Sequence, residues 1–473
     1  MKYLVIGHGA AAVGAIEGIR SADRSGEITV VGDEPGPVFS RPLLAHYLAG
    51  EVSLEAMACR PPDFYRRYRV ESLLGRRAVD LDWQEQGVTL DDGRVLTYDR
   101  LLLATGSVTT FPRIPGAALE GVYGFWKLAE AQALARELEG HRNLPAAVVG
   151  GGLVGVQAAY GLARAGARVT IIEAMPHLLG RILDATAAHL AEELLAQDGI
   201  QVLCGRAIKA IEGRNGHATA VILDDGSTLP ARLVVKATGV APNLDLVRKA
   251  PLKTNRGLLV NSFFQTSLSS VYAAGDVAET YDVTQGRPAV NANWPNAYRQ
   301  GWLAGLNMAG KAAPYEGSLA MTSLVIRRVP FISLGLVNPA QEGFQVKTRA
   351  NPNACLYRKL VFRDDRLKGA ILVGDVEHAG LLQTLIKEQA SVGLIKDAIL
   401  EEKHPFYRFV RARRQMSVEG EKLAWKESHS LPERYEKRFN EASWTEREYD
   451  LRPWDGSLPA GTAQPAAQPE GGG

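Results

Sequence analysis

The apolar residues of this chain fall largely into short unbroken runs. Tyr3-Leu4-Val5-Ile6, Ile28-Thr29-Val30-Val31, Leu101-Leu102-Leu103, Ala146-Ala147-Val148-Val149, Val169-Thr170-Ile171-Ile172 and Leu233-Val234-Val235 are each bounded by polar or turn-forming residues. Such runs, apolar on both faces, predict strands buried inside parallel sheets. Segments with helical spacing lie between them: Val13, Ile16 and Ile19 recur on one face, and 156–165 has the same character. Hairpins interrupt this alternation. Gly87–Leu90 and Val95-Leu96 flank Asp91-Asp92-Gly93, and Ala220-Val221-Ile222-Leu223 runs into Asp224-Asp225-Gly226. Residues 43–74 read as helices joined by loops. The pattern is that of an α/β chain with doubly wound sheets.

Two of the runs lead into glycine turns. The first enters Gly7-His8-Gly9-Ala10-Ala11-Ala12, then a helix, then a strand ending in Gly32-Asp33-Glu34. The second enters Gly150-Gly151-Gly152-Leu153-Val154-Gly155, a helix, and a strand ending in Glu173. This is the dinucleotide fingerprint in its proper setting of strand, turn, helix, strand and acid. Gly7 and Gly150 permit the tight turn. Gly9 and Gly152 let backbone N–H groups approach a pyrophosphate at the positive end of a helix dipole. Ala12 replaces the third glycine, a change the motif allows. Glu34 and Glu173 can each accept a ribose hydroxyl. Two fingerprints mean two dinucleotides, and a flavin with a nicotinamide is the economical pair, since hydride passes between them.

The repetition goes further. Each copy continues through a hairpin and a strand to Ala-Thr-Gly: Ala104-Thr105-Gly106 and Ala237-Thr238-Gly239. The chain is therefore an internal duplication, its second copy inserted after Phe111-Pro112. The first copy resumes near Leu258 and ends at Val271-Tyr272-Ala273-Ala274-Gly275-Asp276, where Gly275-Asp276 places a carboxylate at the sheet's carboxyl edge. Asn293-Trp294-Pro295-Asn296 then opens a helix whose N-terminus favours negative charge, and Pro295 suits its first turn. Arg41 and Pro42 lie in a loop beside the first turn, where the cation can meet a diphosphate.

These elements imply two doubly wound Rossmann-like domains, one inserted in the other. The expected boundaries are 1–112 and 241–316 for the first domain and 113–240 for the second, with a tail at 411–473. Composition excludes other classes. A net charge of +2 gives no sign of nucleic acid or membrane surface, and no apolar stretch approaches a membrane span. The first strand begins at Tyr3, leaving no room for a signal peptide, so a cytoplasmic location is expected. Cys59, Cys204 and Cys355 are too sparse for a disulfide framework, a zinc site or an iron–sulfur cluster.

Gly7 to Ala12, Glu34, Arg41-Pro42, the two Ala-Thr-Gly motifs, Gly150 to Gly155 and Ala274-Gly275-Asp276 together resemble the FAD-dependent pyridine nucleotide oxidoreductases. The similarity covers roughly residues 1–400. Within that family the chain is most similar to ferredoxin and rubredoxin reductases and to the flavin module of NADH nitrite reductases. Asn293-Trp294-Pro295-Asn296 with Gly335-Leu336-Val337-Asn338-Pro339 resembles the FAD/NAD subunits of anaerobic multi-subunit oxidoreductases. The resemblance implies FAD in the first domain, held by the first turn, Glu34, Arg41, Pro42, Val79, Ala104, Thr105, Gly106, Gly275, Asp276, Asn293 and Trp294. It implies NAD in the second, held by Gly150, Gly152, Leu153, Val154, Gly155, Glu173 and Gly239. It further implies a C-terminal α+β interface domain at 317–410, hydride transfer between NAD(H) and FAD, an iron–sulfur protein or subunit as electron partner, and a homodimer or hetero-oligomeric complex. A free-standing NADH oxidase or rubredoxin reductase, or a non-catalytic flavin-bound subunit, are the alternatives.

Three features refine this. Residues 40–50 hold no cysteine, so the thiol chemistry of disulfide reductases is not expected at the flavin. The family's lysine after Arg-Pro and the glutamate after its second fingerprint are His46 and Gln157 here. A neutral imidazole hydrogen-bonded to an amide avoids an unpaired buried cation, and the two are expected to meet at the flavin N5 side and gate nicotinamide entry, as the catalytic pair. No arginine follows Glu173 (Ala174-Met175-Pro176), which favours NAD over NADP. The tail at 411–451 is charge-dense, with Trp425 and Trp444, and Trp454 follows it. It reads either as a solvated extension or as an arm for a partner. The Pro/Ala/Gln/Gly-rich stretch 460–473 is expected to be disordered.

Overall fold

The computed structural model describes residues 1–401. The expectations for the tail, with Trp425, Trp444 and Trp454, and for 402–410 lie outside the described residues.

The apolar runs form two parallel sheets of five strands. The first is ordered Val271–Ala273, Arg100–Leu103, Lys2–Ile6, Glu27–Gly32, Val70–Leu74. The second is ordered Gln201–Cys204, Arg168–Glu173, Pro145–Val149, Leu233–Lys236, Val122–Gly124. In each, the fingerprint strand is central, with the strand that ends in the acid on one side and the strand that leads to Ala-Thr-Gly on the other. The runs are unbroken because these strands are covered on both faces: Leu4, Val5, Val148 and Ile171 are all buried. The second sheet lies wholly between residues 103 and 271 of the first, so it is an insertion. The outer strand next to the Ala-Thr-Gly strand enters after the insertion in the first sheet, at Val271–Ala273, and before the fingerprint in the second, at Val122–Gly124.

One expectation for 43–74 is corrected. Short helices are present at Leu44–Leu48 and Phe64–Arg67, but Val70–Leu74 is the edge strand of the first sheet. Of its residues only Val70 is buried, while Glu71 and Ser72 face solvent. An edge strand needs no continuous apolar run, and this one shows none.

Helix Ala10–Ala22 packs against helix Trp294–Met308 at backbone distance. A Cβ on Gly14 would stand 2.2 Å from the carbonyl oxygen of Tyr298, and one on Gly18 2.3 Å from that of Trp302. Reciprocally, a Cβ on Gly301 would stand 1.9 Å from the carbonyl oxygen of Ala11, and one on Gly305 2.4 Å from that of Ala15. Only paired glycines allow this approach, which brings both helix N-termini to the same end of the first sheet.

The linkers between the two sheets pair antiparallel, Ser107–Thr109 with Val240–Pro242. The third region is an antiparallel sheet ordered Met321–Ile326, Val329–Gly335, Arg366–Val373, Leu356–Arg363, Gln345–Asn351, with helix Ala379–Lys387 packed on it. Its Leu324, Phe331, Tyr357 and Ile371 share one apolar core with the second parallel sheet. Asp184, the N-cap of helix Ala185–Gln197, accepts hydrogen bonds from Tyr357 (2.7 Å) and Lys359 (3.1 Å), fastening the same contact.

Candidate functional site

The two glycine turns are built alike. Gly7 and Gly150 have φ of +106° and +110°, a left-handed conformation that disfavours any other residue. A Cβ on Gly7 would lie 2.0 Å from the carbonyl oxygen of Ala104, and one on Gly150 2.2 Å from that of Ala237. The glycine turn and the Ala-Thr-Gly motif are therefore two sides of one contact, which explains why they recur together. Gly9 and Gly152 are the N-caps of helices Ala10–Ala22 and Leu153–Arg164, and space is open for 4 Å around the position of their missing Cβ. Each turn thus presents a free helix N-terminus beside a residue with no side chain, which fits a pyrophosphate. The third positions differ: Ala12 is accommodated in the core, whereas a Cβ on Gly155 would reach 1.8 Å from Gly150 O.

Around the first turn, His8 tucks its ring under Gly32 and pairs its Nε2 with the Gly36 carbonyl at 3.2 Å. Burial holds its pKa below the usual histidine value, so the ring is neutral at pH 7. Glu34 is buried. It accepts from Arg41 Nη2 at 2.6 Å and from the backbone N–H of Leu128 at 3.2 Å. Arg41 also donates to Trp126 O at 2.5 Å and lies over the rings of Phe39 and Trp126. Sequence reasoning placed Glu34 on a ribose and Arg41 on a diphosphate. It missed that they pair with each other and grip the start of helix Leu128–Leu138 in the inserted region. Pro42 sits in the turn Arg41–Leu43 that follows.

Thr105 Oγ1 donates to the carbonyl of Asn243 at 2.8 Å, and Thr238 Oγ1 to that of Thr110, so each Ala-Thr-Gly threonine ties down the linker leaving the other copy. Gly106 and Gly239 both have positive φ. Gly275 N–H is held by the buried Gln300 at 2.8 Å. The half-buried Asp276 receives one hydrogen bond, from Ser107 Oγ at 3.0 Å. Desolvation pushes its pKa above the ordinary aspartate value. A ligand hydroxyl would supply the donor this carboxylate lacks. Asn293 caps helix Trp294–Met308 by accepting from Asn296 N at 2.9 Å, and Trp294 stacks on Tyr298 at 5.9 Å. Val79 lies at the bulge where strand Ala78–Asp82 skips a partner, and is 45% exposed.

In the second turn, Glu173 accepts from Gly151 N (2.5 Å) and Met175 N (2.7 Å). Its carboxylate shapes the turn and retains lone pairs for a further donor. Leu153 is exposed, and Val154 is half-buried at the helix start.

The hydrogen bond expected between His46 and Gln157 is not formed. His46 Nδ1 pairs with Glu51 Oε2 at 2.7 Å, and its ring meets Tyr160 edge-on at 5.6 Å. Gln157, half-buried one helical turn before Tyr160, makes no hydrogen bond among the described residues. The reason is local. Glu51 follows His46 by five residues and offers an ionised acceptor, which outcompetes a neutral amide. Glu51 also accepts from Tyr160 OH at 2.7 Å and from Arg164 Nε at 3.3 Å. Sequence reasoning gave Glu51 no role. The signal was available only in hindsight, as an acid one turn beyond the end of helix Leu44–Leu48.

All three cysteines are free thiols. Burial pushes the pKa of Cys59 up, and burial with the neighbouring Glu192 pushes that of Cys204 to about 12, so neither is a thiolate at neutral pH. No helix among the described residues is long and apolar enough to cross a membrane.

With this geometry in place the comparisons fall into line. Residues 1–301 match the pyridine nucleotide-disulphide oxidoreductase family, and residues 321–390 match the rubredoxin NAD+ reductase C-terminal domain. The chain belongs to that oxidoreductase family. It is 34% identical over 85% of its length to the assimilatory nitrate reductase electron transfer subunit of Bacillus subtilis, covering 51% of that protein. It is 32% identical over 81% of its length to the NADH-dependent phenylglyoxylate dehydrogenase subunit epsilon of Aromatoleum evansii, covering 91% of it. Among solved structures, the covalent putidaredoxin reductase–putidaredoxin complex aligns with a TM-score of 0.79 at 25% identity, over 87% of this chain and 99% of that one. The chain spans about half the length of the Bacillus nitrate reductase subunit and of the nitrite reductase it also matches. The α/β fold is shared with the aligned reductase structure.

Proposed function

We propose that this chain is an NAD(H)-linked FAD oxidoreductase that exports electrons one at a time to an iron–sulfur protein or partner subunit. The observation that carries it is the pair of matched cradles, each a glycine turn closed by Ala-Thr-Gly in its own sheet. The first cradle, with Glu34, Arg41, Asp276 and the N-terminus of helix Trp294–Met308, would hold FAD. The second, with Gly152, Gly155 and Glu173, would hold NAD(H). FAD supplies, when bound, a centre that accepts two electrons together and releases them singly. The residues contribute binding and orientation: the turns seat the diphosphates, the N-terminus of helix Trp294–Met308 favours negative charge, and Asp276 fixes a hydroxyl chain. Glu173 accepts a ribose 2′-OH and repels a 2′-phosphate, so NAD is preferred.

The electron partner is supported by the relatives, which include a nitrate reductase electron transfer subunit and a reductase solved with putidaredoxin. The absence of cysteine at 40–50 separates the chain from thiol-dependent members. A cytoplasmic location belongs to this reading, since NADH is found there, and so does assembly with a partner or a second copy. Mixing the FAD-loaded protein with NADH under anaerobic conditions tests it. Rapid bleaching of the flavin, slow oxygen turnover once air is admitted, and NADH oxidation accelerated by a [2Fe–2S] ferredoxin are expected. Fast oxygen turnover would indicate an oxidase, and no bleaching would end the proposal.

A further inference from the structure

Helix Leu44–Leu48 follows directly on the Arg41–Leu43 turn of the first cradle, but its Leu44, Ala45 and Leu48 are buried in the core of the second, against helix Leu153–Arg164. The two helices cross at backbone distance, where a Cβ on Gly161 would stand 2.8 Å from Ala45 O. Leu44, Ala45 and Leu48 share a buried core with Val156, Ala159 and Leu162 of helix Leu153–Arg164. A polar junction at the edge of this core adds a directional restraint. Glu51 accepts from Tyr160 (2.7 Å) and Arg164 (3.3 Å), which stand on one face of the second helix at i and i+4. The other carboxylate oxygen takes His46 Nδ1 at 2.7 Å from the first helix. Three donors from both sides therefore converge on one carboxylate.

We infer that Glu51 is a positioning residue that locks the second cradle's helix against the first, and so sets how closely the nicotinamide approaches the flavin. This rests on the function proposed above. The carboxylate at this junction is Glu51, while the side chain of Gln157 makes no hydrogen bond among the described residues. Glu51 is taken to act through Tyr160 and Arg164 rather than on a ligand. Helix Leu153–Arg164 begins at the second glycine turn, so a small rotation about the Gly161 contact displaces the whole cradle. Hydride transfer is steeply sensitive to such displacement, with about a hundredfold loss for 1 Å.

The test uses the full-length, FAD-loaded protein with Glu51→Gln and Tyr160→Phe. Anaerobic stopped-flow bleaching over a range of NADH concentrations separates binding from transfer. Both variants should keep their FAD and their apparent Kd for NADH within about threefold, while the limiting transfer rate falls roughly tenfold to a hundredfold. A merely structural role would lower FAD content or raise Kd instead. Limiting rates within twofold of wild type would overturn the inference. Hydrogen exchange reads the lock without turnover. In Glu51→Gln both helices should exchange at least about tenfold faster than in wild type, and unchanged exchange would also overturn it. A wild-type protein that NADH does not bleach, but whose helices loosen in Glu51→Gln, would sink the proposed function and leave the lock standing.

Discussion

The two cradles share a design and differ in enclosure. Both pair a left-handed glycine with the carbonyl before Thr-Gly, and both leave the second glycine open. The first is walled by a second helix packed through four glycines, by the Glu34–Arg41 clamp and by Asp276, and its Ala11 and Ala12 are 5% and 1% exposed. The second is more open among the described residues: Leu153 and Met175 beside its turn are 38% and 39% exposed. One motif thus serves two kinds of residence. The enclosed cradle suits a ligand that stays, the open one a ligand that exchanges each cycle. Binding that must be tight is supported by burying the surroundings, and binding that must be reversible by leaving them wet.

The sharpest way to break this comparison is to fill each turn. Gly7→Ala and Gly150→Ala place a Cβ about 2 Å from a backbone carbonyl that cannot withdraw, at a φ alanine resists. Each should cost roughly 3 kcal/mol or more of stability. Their functional outcomes should separate. Gly7→Ala should purify without flavin, whereas Gly150→Ala should remain yellow and fail to bleach with NADH. Absorbance at purification and after NADH addition decides it; equal loss of flavin in both would show the cradles to be interchangeable. Next in size is Gly301→Ala, which pushes helix Trp294–Met308 off Ala11. We expect a loss of roughly 2–4 kcal/mol and weakened flavin retention, read by thermal unfolding with and without added FAD.

The sequence disclosed the cradles more fully than their connections. Short, mostly apolar runs marked each inner strand because strands covered on both faces admit few polar residues, here Thr29 and Thr170. Glycine spacing marked the turns because backbone geometry allows nothing else at Gly7 and Gly150. Val70–Leu74 escaped because an edge strand is half solvated and carries no such run. The pairing of Glu34 with Arg41, and of His46 with Glu51, also escaped. Charged side chains choose partners by tertiary proximity, and several acceptors lay within equal reach along the chain. The Gly14, Gly18, Gly301 and Gly305 contact was legible only as glycines on helices, since two segments 287 residues apart had to be brought together to show why.

Asp276 offers a smaller and pH-dependent probe of the enclosed cradle. Its folded pKa is raised by burial, so the folded state holds the proton to higher pH than the unfolded chain does. In FAD-free protein this works against folding as pH climbs above about 4, the ordinary aspartate value, because the unfolded chain ionises first. Asp276→Asn removes the effect. The FAD-free variant should therefore melt higher than wild type at pH 7 and converge with it toward pH 4. With FAD bound the ordering should shrink or reverse, since the variant loses a charge-assisted hydrogen bond to the ligand. Parallel melting curves across pH 4–8 for the FAD-free proteins would show that burial does not load this carboxylate.

The mildest test concerns the open cradle alone. Glu173 meets two backbone N–H groups, one on each oxygen, and so is half spent on shaping its own turn. In Glu173→Gln the amide keeps one acceptor oxygen but turns an NH2 toward the other N–H, so the turn should loosen slightly. Repulsion of a 2′-phosphate disappears with the charge. These two effects act in different columns of a kinetic table: loosening lowers kcat/KM for NADH and NADPH together, while lost repulsion raises NADPH relative to NADH. We expect the NADPH/NADH ratio of kcat/KM to rise by about tenfold, which is ~1.4 kcal/mol, with flavin content unchanged because the enclosed cradle is untouched. If both values fall together at constant ratio, Glu173 is a structural strut of the turn, and the preference for NAD must be built elsewhere in the second cradle.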